Sequence, residues 1–508
     1  MTEKIDFNHK VILAPMVRVS TLPLRLLSLR YGADLVYCEE IIDFKILSST
    51  RVENDILGTV DYVMSDGNVV FRTCAQEKGK LFFQLGTSDA ERAVAAALKV
   101  QEDVAGIDVN MGCPKEFSIK GGMGAALLKK PEKVKQILSS LVKAVSIPVT
   151  CKIRCLPTLE ETIELARIIE KTGVSALTVH GRTKEERPRH ANRNDFIKKI
   201  AESLSIPVIA NGGSKELKDC SDIQKFAKDT GCTSVMVARA AERNPSIFRK
   251  EGIIPLLDIV REYVKMAINW DNNAINTKYC ILQMMYKDMD IKEGDQSLTA
   301  VTMEEFSEIW GLQEYYQQHK QSMTKLLAMK YDKETEIHVV TTDDGHTTIE
   351  MPFKFYKKEF PPKITPKQRL YEATKRAGIN KLEYDVTERK EDRCYNCILN
   401  VGGTLYTTPF WEKSKQLAEQ GAAMVATTVL DIEDERQFVE GGQNEALLEK
   451  WKKRKNDCDV KDIYLSFKHL LDKASEEKLV KKRLNDETND SCIEVKHFVS
   501  ENQDDVVT

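Results

Sequence analysis

The sequence of 508 residues contains no apolar run that approaches the roughly 18 residues needed to cross a membrane. Its first ten residues lack the apolar core of a signal peptide. The twelve cysteines are scattered and not spaced as a disulfide framework. We therefore expect a soluble, cytoplasmic protein in a reducing environment, with no membrane among its partners.

An excess of charge of one sign is also missing. Lys and Arg total 75 against 78 for Asp and Glu, which gives a net charge of -3. This balance excludes a protein that coats nucleic acid with its whole surface, but it permits a local basic patch. The length exceeds that of a single hydrophobic core, so we expect two to four domains.

A second zinc-ligand pair is absent as well. Cys394 and Cys397 have the spacing of one pair, but no further pair or closely spaced histidines lie nearby. A closed zinc site requires four ligands. Ordinary strand cysteines are the favoured interpretation, and no metal site is predicted.

Eight short apolar runs alternate with helical patterns in the first 240 residues. Strands covered on both faces by helices are continuously apolar, and eight such units predict a (β/α)₈ TIM barrel, an α/β fold. The alternative, a doubly wound open sheet, would carry a G-x-G-x-x-G turn after the first strand, where Ala14-Pro15-Met16-Val17 stands instead. The runs are Val11–Met16, Leu35–Glu40, Lys80–Gly86, Ala105–Gly112, Pro148–Arg154, Ala176–Arg182, Pro207–Gly213 and Ser234–Ala240.

The pattern changes three times along the chain. The barrel is expected over 1–250, with a hairpin around Asp66-Gly67-Asn68 inserted after the second strand, followed by a helical domain and linker over 251–340 and a polar linker over 341–351. An α-β-β-β-α domain is expected within 350–430. From 431 to 508 charges of both signs predict a mostly disordered tail, with one helix over 461–471. The elements of the small domain are predicted at Pro366–Ala377, Leu382–Glu388, Arg393–Val401, Thr404–Thr408 and Trp411–Leu430.

Polar residues and glycines follow nearly every predicted barrel strand, at the end where such barrels carry their active sites. Buried polar groups without partners are costly, so this ring predicts a large polar ligand. Gly212, Gly213 and the pair Ala238-Arg239 stand where barrels of this kind bind phosphate. Tight turns alone are the alternative for the two glycines.

Five of these segments together resemble the tRNA-dihydrouridine synthases over residues 10 to 330. The resemblance implies an FMN-containing barrel, a helical domain and NADPH-dependent reduction of a uracil in tRNA. We also expect a monomer. The segments are Ala14-Pro15-Met16, Phe83-Gln84-Leu85-Gly86, Asp108-Val109-Asn110-Met111-Gly112-Cys113-Pro114, Val179-His180-Gly181-Arg182-Thr183 and Ala210-Asn211-Gly212-Gly213.

The same resemblance assigns roles to individual residues. Cys113 would donate a proton to C5 of the uracil as hydride from flavin N5 reaches C6, and Asn110 and Arg182 would bind the uracil or a nearby phosphate. Taken alone, Cys113 is better explained as a buried small hydrophobic residue, because free cysteine is commonly buried. The polar strand ends around it reverse this preference and favour the catalytic role. The implied FMN-binding residues are Pro15, Met16, Val17, Glu40, Gln84, Lys152, His180, Asn211, Gly212, Gly213, Ala238 and Arg239.

The α-β-β-β-α segment resembles a double-stranded RNA-binding domain, most clearly in Ser414–Ala423. It departs from that family because Gln416 and Glu419 replace lysines. Upstream, residues 354–376 contain eight Lys or Arg and two acids, interleaved with Phe355, Tyr356 and Phe360, a composition suited to an RNA backbone. The combination with the barrel resembles the family members that modify uridine 20 in the tRNA D-loop. The RNA-binding residues expected here are Lys354, Lys357, Lys358, Lys363, Lys367, Glu372 and Lys415.

Two other functions remain open from the sequence. One is a flavin barrel that reduces free pyrimidines or another small metabolite. The other is an RNA-binding protein with an inactive barrel, which would be colourless when purified.

Overall fold

The computed structural model describes residues 5–64, 67–213, 216–334, 337–341, 346–361, 363–379, 381–390, 394–433, 435–437, 443–454 and 461–473. The chain divides into two compact units, Met1–Gln321 and Ser322–Thr508. No helix in these described ranges is long and apolar enough to cross a membrane.

The first unit contains twelve strands. Eight of them run parallel in the order β2-β1-β12-β11-β10-β9-β8-β7, and pairing of β2 with β7 closes the barrel, while β3 pairs with the end of β7. The predicted barrel is confirmed, and each predicted run contains one of its strands. The strands are Val11–Leu13 (β1), Leu35–Tyr37 (β2), Ile41–Ile42 (β3), Thr50–Asn54 (β4), Thr59–Val63 (β5), Val69–Cys74 (β6), Leu81–Gly86 (β7), Gly106–Met111 (β8), Val149–Arg154 (β9), Ala176–His180 (β10), Val208–Asn211 (β11) and Ser234–Val237 (β12).

Helices cover the barrel and follow it. Five of them, the last of which continues across the boundary between the two units, occupy the segment for which the sequence predicts a helical domain. The helices are Leu22–Arg30 (α1), Asp43–Leu47 (α2), Ala90–Val100 (α3), Glu116–Lys120 (α4), Pro131–Ala144 (α5), Leu159–Glu170 (α6), Asn194–Ser203 (α7), Cys220–Thr230 (α8), Arg239–Arg243 (α9), Leu256–Asn269 (α10), Ala274–Met284 (α11), Lys292–Thr299 (α12), Met303–Ile309 (α13) and Gln313–Glu334 (α14).

Side chains from alternate strand positions fill the barrel interior. Side chains at every second position point inward, and the lower layer is apolar, with the rings of Tyr37 and Phe82 stacked at a centroid separation of 4.9 Å. Gly106 is required opposite Phe82, because a β-carbon there would collide with the ring. The upper positions of the same strands are left for polar groups.

An antiparallel sheet of β4, β5 and β6 is inserted after the second barrel strand. The predicted hairpin is therefore confirmed and gains one further strand. Asp66 of its predicted turn lies outside the described residues.

The second unit contains a five-stranded sheet in the order β13-β14-β17-β16-β15. Its central part has the predicted α-β-β-β-α order, although α16 begins at Lys415 and not at Trp411, because Ser414 accepts a hydrogen bond from the amide of Leu417 and caps the helix there. The elements are His338–Thr341 (β13), Thr347–Glu350 (β14), Pro366–Arg376 (α15), Glu383–Arg389 (β15), Cys394–Val401 (β16), Thr404–Thr407 (β17), Lys415–Val429 (α16) and Gln443–Arg454 (α17), and a further helix covers residues 461–473.

One sequence prediction is wrong in this unit. The segment expected to be a linker forms β14, which pairs in parallel with β17, and β13, which pairs with β14. In the tail, where the sequence predicts one helix, α17 is a further one and buries Leu447 and Trp451 in the core of the unit. The predicted helix over 461–471 is present, and the predictions for 474–508 fall outside the described residues.

Candidate functional site

Strand alternation and register bring the predicted polar residues to one end of the barrel. Asn110 on β8 pairs with Lys152 on β9, and His180 on β10 pairs with both Arg154 and Asn211 on its neighbours. Alternation places each of these side chains on the same strand face as the residue two positions earlier, as with Asn110 after Asp108 and His180 after Thr178. The inward face of the barrel therefore ends in a polar ring.

This ring surrounds a cavity of about 570 Å³. Thirteen of the fifteen barrel residues predicted from the sequence line it, and two, Gly213 and Arg182, do not. The predicted residues in the lining are Pro15, Met16, Val17, Glu40, Gln84, Asn110, Cys113, Lys152, His180, Asn211, Gly212, Ala238 and Arg239.

The loop that carries Cys113 is fixed by its own strand end and by the next strand. The Asn110 side-chain oxygen accepts hydrogen bonds of 2.9 Å from the backbone amides of both Gly112 and Cys113. Arg154 Nε donates to the Gly112 carbonyl at 2.7 Å. The sequence assigns Asn110 to uracil or a nearby phosphate. Its side-chain oxygen is committed to positioning the cysteine loop, although the side chain still lines the cavity.

A buried chain of polar groups supports Asn110 from below. Its amide nitrogen donates to Gln84 Oε1 at 3.2 Å, and Gln84 Nε2 donates to Asp108 at 2.8 Å. Asp108 also accepts a 2.8 Å bond from Thr150. Burial raises the pKa of Asp108 to about 6. Because each member has a partner, the chain can lie in the barrel interior at a tolerable cost.

Positive charge dominates the cavity wall. Among the described residues, five cationic side chains and two carboxylates, Glu40 and Glu242, line the cavity. Burial, and after it the charge of Arg154, lowers the pKa of Lys152 to about 8, and burial together with neighbouring arginines lowers that of Arg154 to about 10. Such a wall favours an anionic ligand. The cations are Arg18, Lys115, Lys152, Arg154 and Arg239.

Arg182 is predicted to bind uracil or a nearby phosphate, but it does not line the cavity. Its guanidinium is buried, donates to the carbonyls of His190 at 2.9 Å and Gly212 at 2.5 Å, and contacts His180 Nε2 at 3.3 Å. Arginine can only donate, so His180 Nε2 is the acceptor and its proton lies on Nδ1. Burial and the surrounding cations hold the pKa of His180 well below its usual value. Arg182 thus orients cavity residues without facing the cavity itself.

The two predicted phosphate-binding glycines have different reasons for being glycine. Gly212 has a φ of +118°, and a β-carbon there would approach His180 Cδ2 to 2.8 Å and collide with Asn192. Gly213 does not line the cavity, and a β-carbon there would approach the ring of Phe226 to 2.9 Å. Gly212 therefore presents its backbone to the cavity without a side chain. Gly213 must be glycine because the Phe226 ring packs against it.

Sequence reasoning missed several lining residues. Arg154 could have been found, because it lies two positions beyond Lys152 on the same face of β9. Arg18 and Tyr279 carried no such signal: the guanidinium of Arg18 lies 5.6 Å from the Tyr279 ring centroid, and Tyr279 comes from α11, far along the chain. Glu242 on α9 and Lys115 beyond Cys113 are the other charged lining residues that were missed.

In the second unit, the predicted RNA-binding residues differ in solvent exposure and in their partners within the domain. Lys357, Lys363 and Lys415 are exposed, and Lys354 is partly buried, whereas the side chain of Lys358 lies outside the described set. Lys367 pairs with Glu419 at 2.6 Å. Glu372 accepts hydrogen bonds from Gln368 and Arg369. The acid that replaces a family lysine thus neutralises Lys367 within the domain.

The aromatic residues of the basic stretch correct another expectation. Phe355 and Phe360 are each only 8% exposed and stack at 5.3 Å in the core of the second unit. They therefore anchor the stretch in the core, and their rings are not exposed for stacking on bases. Cys394 and Cys397 lie on β16, and no group of three or more metal-ligating side chains occurs among the described residues.

A closed parallel barrel with a cationic, glycine-lined cavity at the carboxyl ends of its strands has the architecture of the barrel enzymes, which carry their active sites, and frequently a phosphate-binding site, at that end. Residues 12–336 match the family described as Dihydrouridine synthase (Dus), and residues 366–430 match the Double-stranded RNA binding motif. The chain belongs to the dihydrouridine synthase family, and the resemblance seen in the sequence is confirmed.

Individual relatives are similar over more than half of the chain. The tRNA-dihydrouridine(20) synthase (NAD(P)+) of Schizosaccharomyces pombe is 41% identical over 61% of this chain and 66% of its own length. That of Saccharomyces cerevisiae is 39% identical over 55% of this chain and 78% of its own. The crystal structure of a tRNA-dihydrouridine(20) synthase dsRBD domain is 35% identical over 18% of this chain and 95% of that one, with a TM-score of 0.17.

Proposed function

We propose that this protein reduces uridine to 5,6-dihydrouridine in tRNA, at position 20 of the D-loop, with FMN as cofactor and NADPH as reductant. The observation that carries the proposal is the placement of Cys113 on a fixed loop beside a cationic cavity with a bare glycine backbone at Gly212. The yeast relatives, which are named for this reaction, support the substrate, and the RNA-binding motif supports a tRNA partner.

The hydrogen-bond donors and cations of the cavity are suited to FMN. The backbone at Gly212 and the guanidinium of Arg239 are suited to the phosphate, since a glycine lets the phosphate approach the amides closely. Lys152 and the neutral imidazole of His180 are suited to the polar edge of the ring system. The remaining predicted FMN residues line the same cavity, except Gly213, whose contribution is to packing.

Bound FMN, reduced by NADPH, would supply the hydride for C6 of the uracil. The protein's own task is to place the base and to protonate C5. Burial and the nearby Glu40 carboxyl raise the pKa of Cys113 to about 11, so the residue is a thiol and not a thiolate at neutral pH. The S–H bond breaks as the C5–H bond forms, and the electron pair stays on sulfur. The hydrogen bonds that Asn110 and Arg154 make with the loop backbone hold the thiol in place for this transfer.

Purified protein should be yellow and should form dihydrouridine in an unmodified tRNA transcript supplied with NADPH, detected by mass spectrometry of the nucleosides. Free uracil, uridine and an RNA hairpin serve as comparison substrates. Turnover of free uracil without tRNA would favour the metabolite-reducing barrel instead. Colourless, folded protein from cells grown with riboflavin would favour an RNA-binding protein without catalysis.

The lysines before the small domain should contribute to tRNA binding. Changing Lys354, Lys357, Lys358 and Lys363 together to Ala should weaken binding and flatten its salt dependence, because each lost phosphate contact lowers the salt slope by roughly 1. The FMN content should not change. The measurement is a tRNA titration at several salt concentrations.

The matched control removes four exposed lysines from the outer helices of the barrel, Lys135, Lys143, Lys225 and Lys228. It changes the net charge by the same amount, so a general electrostatic effect would appear in both variants. An equal loss of salt slope in the control, or no loss in the first variant, would assign the RNA contacts to other residues.

A further inference from the structure

Arg18, in the loop after β1, has a strained backbone conformation that three hydrogen bonds hold in place. Its φ is +67°, in the left-handed region that residues other than glycine seldom adopt. Its amide donates to Glu39 Oε2 at 2.7 Å, and its carbonyl accepts from Asn276 Nδ2 at 2.7 Å and from the Cys280 thiol at 3.3 Å. The end of a barrel strand and the helix α11 therefore fix this backbone together.

The side chain of Arg18 reaches the mouth of the cavity. It lines the cavity and is exposed to solvent, and its guanidinium carbon lies 5.6 Å from the centroid of the Tyr279 ring. Glu39 bonds the backbone amide of Arg18, and no carboxylate in the described part of the chain forms an ion pair with the guanidinium. A guanidinium supported by a ring on one face keeps its in-plane N–H groups available for a ligand.

Arginine is a costly residue at this position. Glycine adopts a left-handed φ without a steric penalty, so it would relieve the strain and keep the three backbone hydrogen bonds. Strained residues of this kind persist where the surroundings fix them, and they cluster at ligand-binding and active sites. The side chain of Arg18 therefore serves a purpose that the fold alone does not require.

We propose that Arg18, supported by Tyr279, binds the backbone phosphate of the uridine nucleotide whose base enters the cavity. The proposal rests on the proposed function for the identity of the substrate. An enzyme that acts on a base within a nucleic acid takes the base into its pocket, so the sugar–phosphate backbone stays at the mouth. The planar guanidinium binds phosphate through two parallel hydrogen bonds, and the fixed backbone of Arg18 determines where that phosphate lies.

The test compares Arg18→Gln with Arg167→Gln in titrations of the holoenzyme with unmodified tRNA at several salt concentrations. Arg18→Gln should bind tRNA about tenfold more weakly, because a hydrogen-bonded contact to a charged group is lost. The slope of log Kd against log salt should fall by roughly 1, the effect of one phosphate contact. Arg167 is exposed on the outer helix α6, so Arg167→Gln removes the same charge and should match the parent.

The ring beneath the guanidinium has its own pair of variants. Tyr279→Leu removes the aromatic support and should weaken tRNA binding about two- to fivefold, the usual contribution of an exposed cation–π contact. Tyr279→Phe keeps the ring and should bind as the parent does. Equal binding by Tyr279→Leu and the parent would contradict the part assigned to the ring.

A third variant separates RNA binding from folding. Arg18→Gly should melt at no lower temperature than the parent, because it relieves the strained φ, and should bind tRNA as weakly as Arg18→Gln. A clearly lower melting temperature would show that the arginine serves the fold and would overturn the proposal, as would an unchanged salt slope in Arg18→Gln. Loss of FMN or slower flavin reduction by NADPH in Arg18→Gln would assign the arginine to one of those ligands instead. Failure of the parent to form dihydrouridine would reject the proposed function, whereas the tRNA titration does not depend on turnover.

Discussion

Cys113→Ala should be reduced by NADPH at the parent rate and should then react with unmodified tRNA about 10²- to 10⁴-fold more slowly. A positioned acid contributes this much to rate, which corresponds to about 3 to 5 kcal/mol of barrier at 1.36 kcal/mol per tenfold. The first half-reaction needs only cofactor and reductant, whereas the second needs a proton at C5. Anaerobic stopped-flow absorbance separates the two half-reactions when the enzyme is mixed first with NADPH and then with tRNA.

Two further variants sharpen this experiment. Cys113→Ser should recover little activity, because a hydroxyl is a much weaker acid than a thiol. Cys220→Ala, which removes a partly exposed cysteine from the outer helix α8, should behave as the parent. If Cys113→Ala reacted with tRNA at the parent rate, Cys113 would be a packing residue and the proton would come from another group.

Gly212→Ala should lose FMN. The backbone there has a φ of +118°, and the added carbon would press on His180 and collide with Asn192. Moving this backbone would displace an amide from the phosphate, and a hydrogen bond to a charged group is worth about 1.5 to 3 kcal/mol. We expect FMN affinity to fall about ten- to hundredfold, measured by fluorescence titration of the apoprotein.

Gly252→Ala is the matched control for this loss. Gly252 also has a positive φ, +101°, but no atom lies within 4 Å of the added carbon. It should therefore carry a similar backbone strain and retain FMN. Equal retention of FMN by both variants would contradict the assignment of Gly212 to the phosphate site.

The sequence was most informative where strand periodicity determines geometry. Gln84, Lys152 and His180 could be placed at one barrel end because parallel strands share a direction and alternate residues share a face. Arg182 does not line the cavity for a physical reason: its strand ends at His180, so the backbone has left the barrel register by position 182. Alternation no longer indicates its direction there.

Tertiary packing accounts for the other errors. Phe355 and Phe360 lie in a basic stretch, and composition alone does not distinguish a core ring from an RNA-facing one. The contact between Glu40 and Ser118 joins residues 78 positions apart, which no local pattern encodes. Similarly, α17 is rich in charge, and its few apolar residues, such as Trp451, are stabilised only by the rest of the unit.

The most direct test of the proposed reaction mixes anaerobically reduced enzyme with unmodified tRNA and follows both the flavin spectrum and the position of the modified base. Reoxidation of the flavin with formation of one dihydrouridine per flavin at position 20, and no reoxidation by free uridine, is the result expected from a cationic FMN cavity with Cys113 as the acid. Reoxidation by free uridine or uracil but not by tRNA, or a flavin that stays reduced with every pyrimidine, would contradict it.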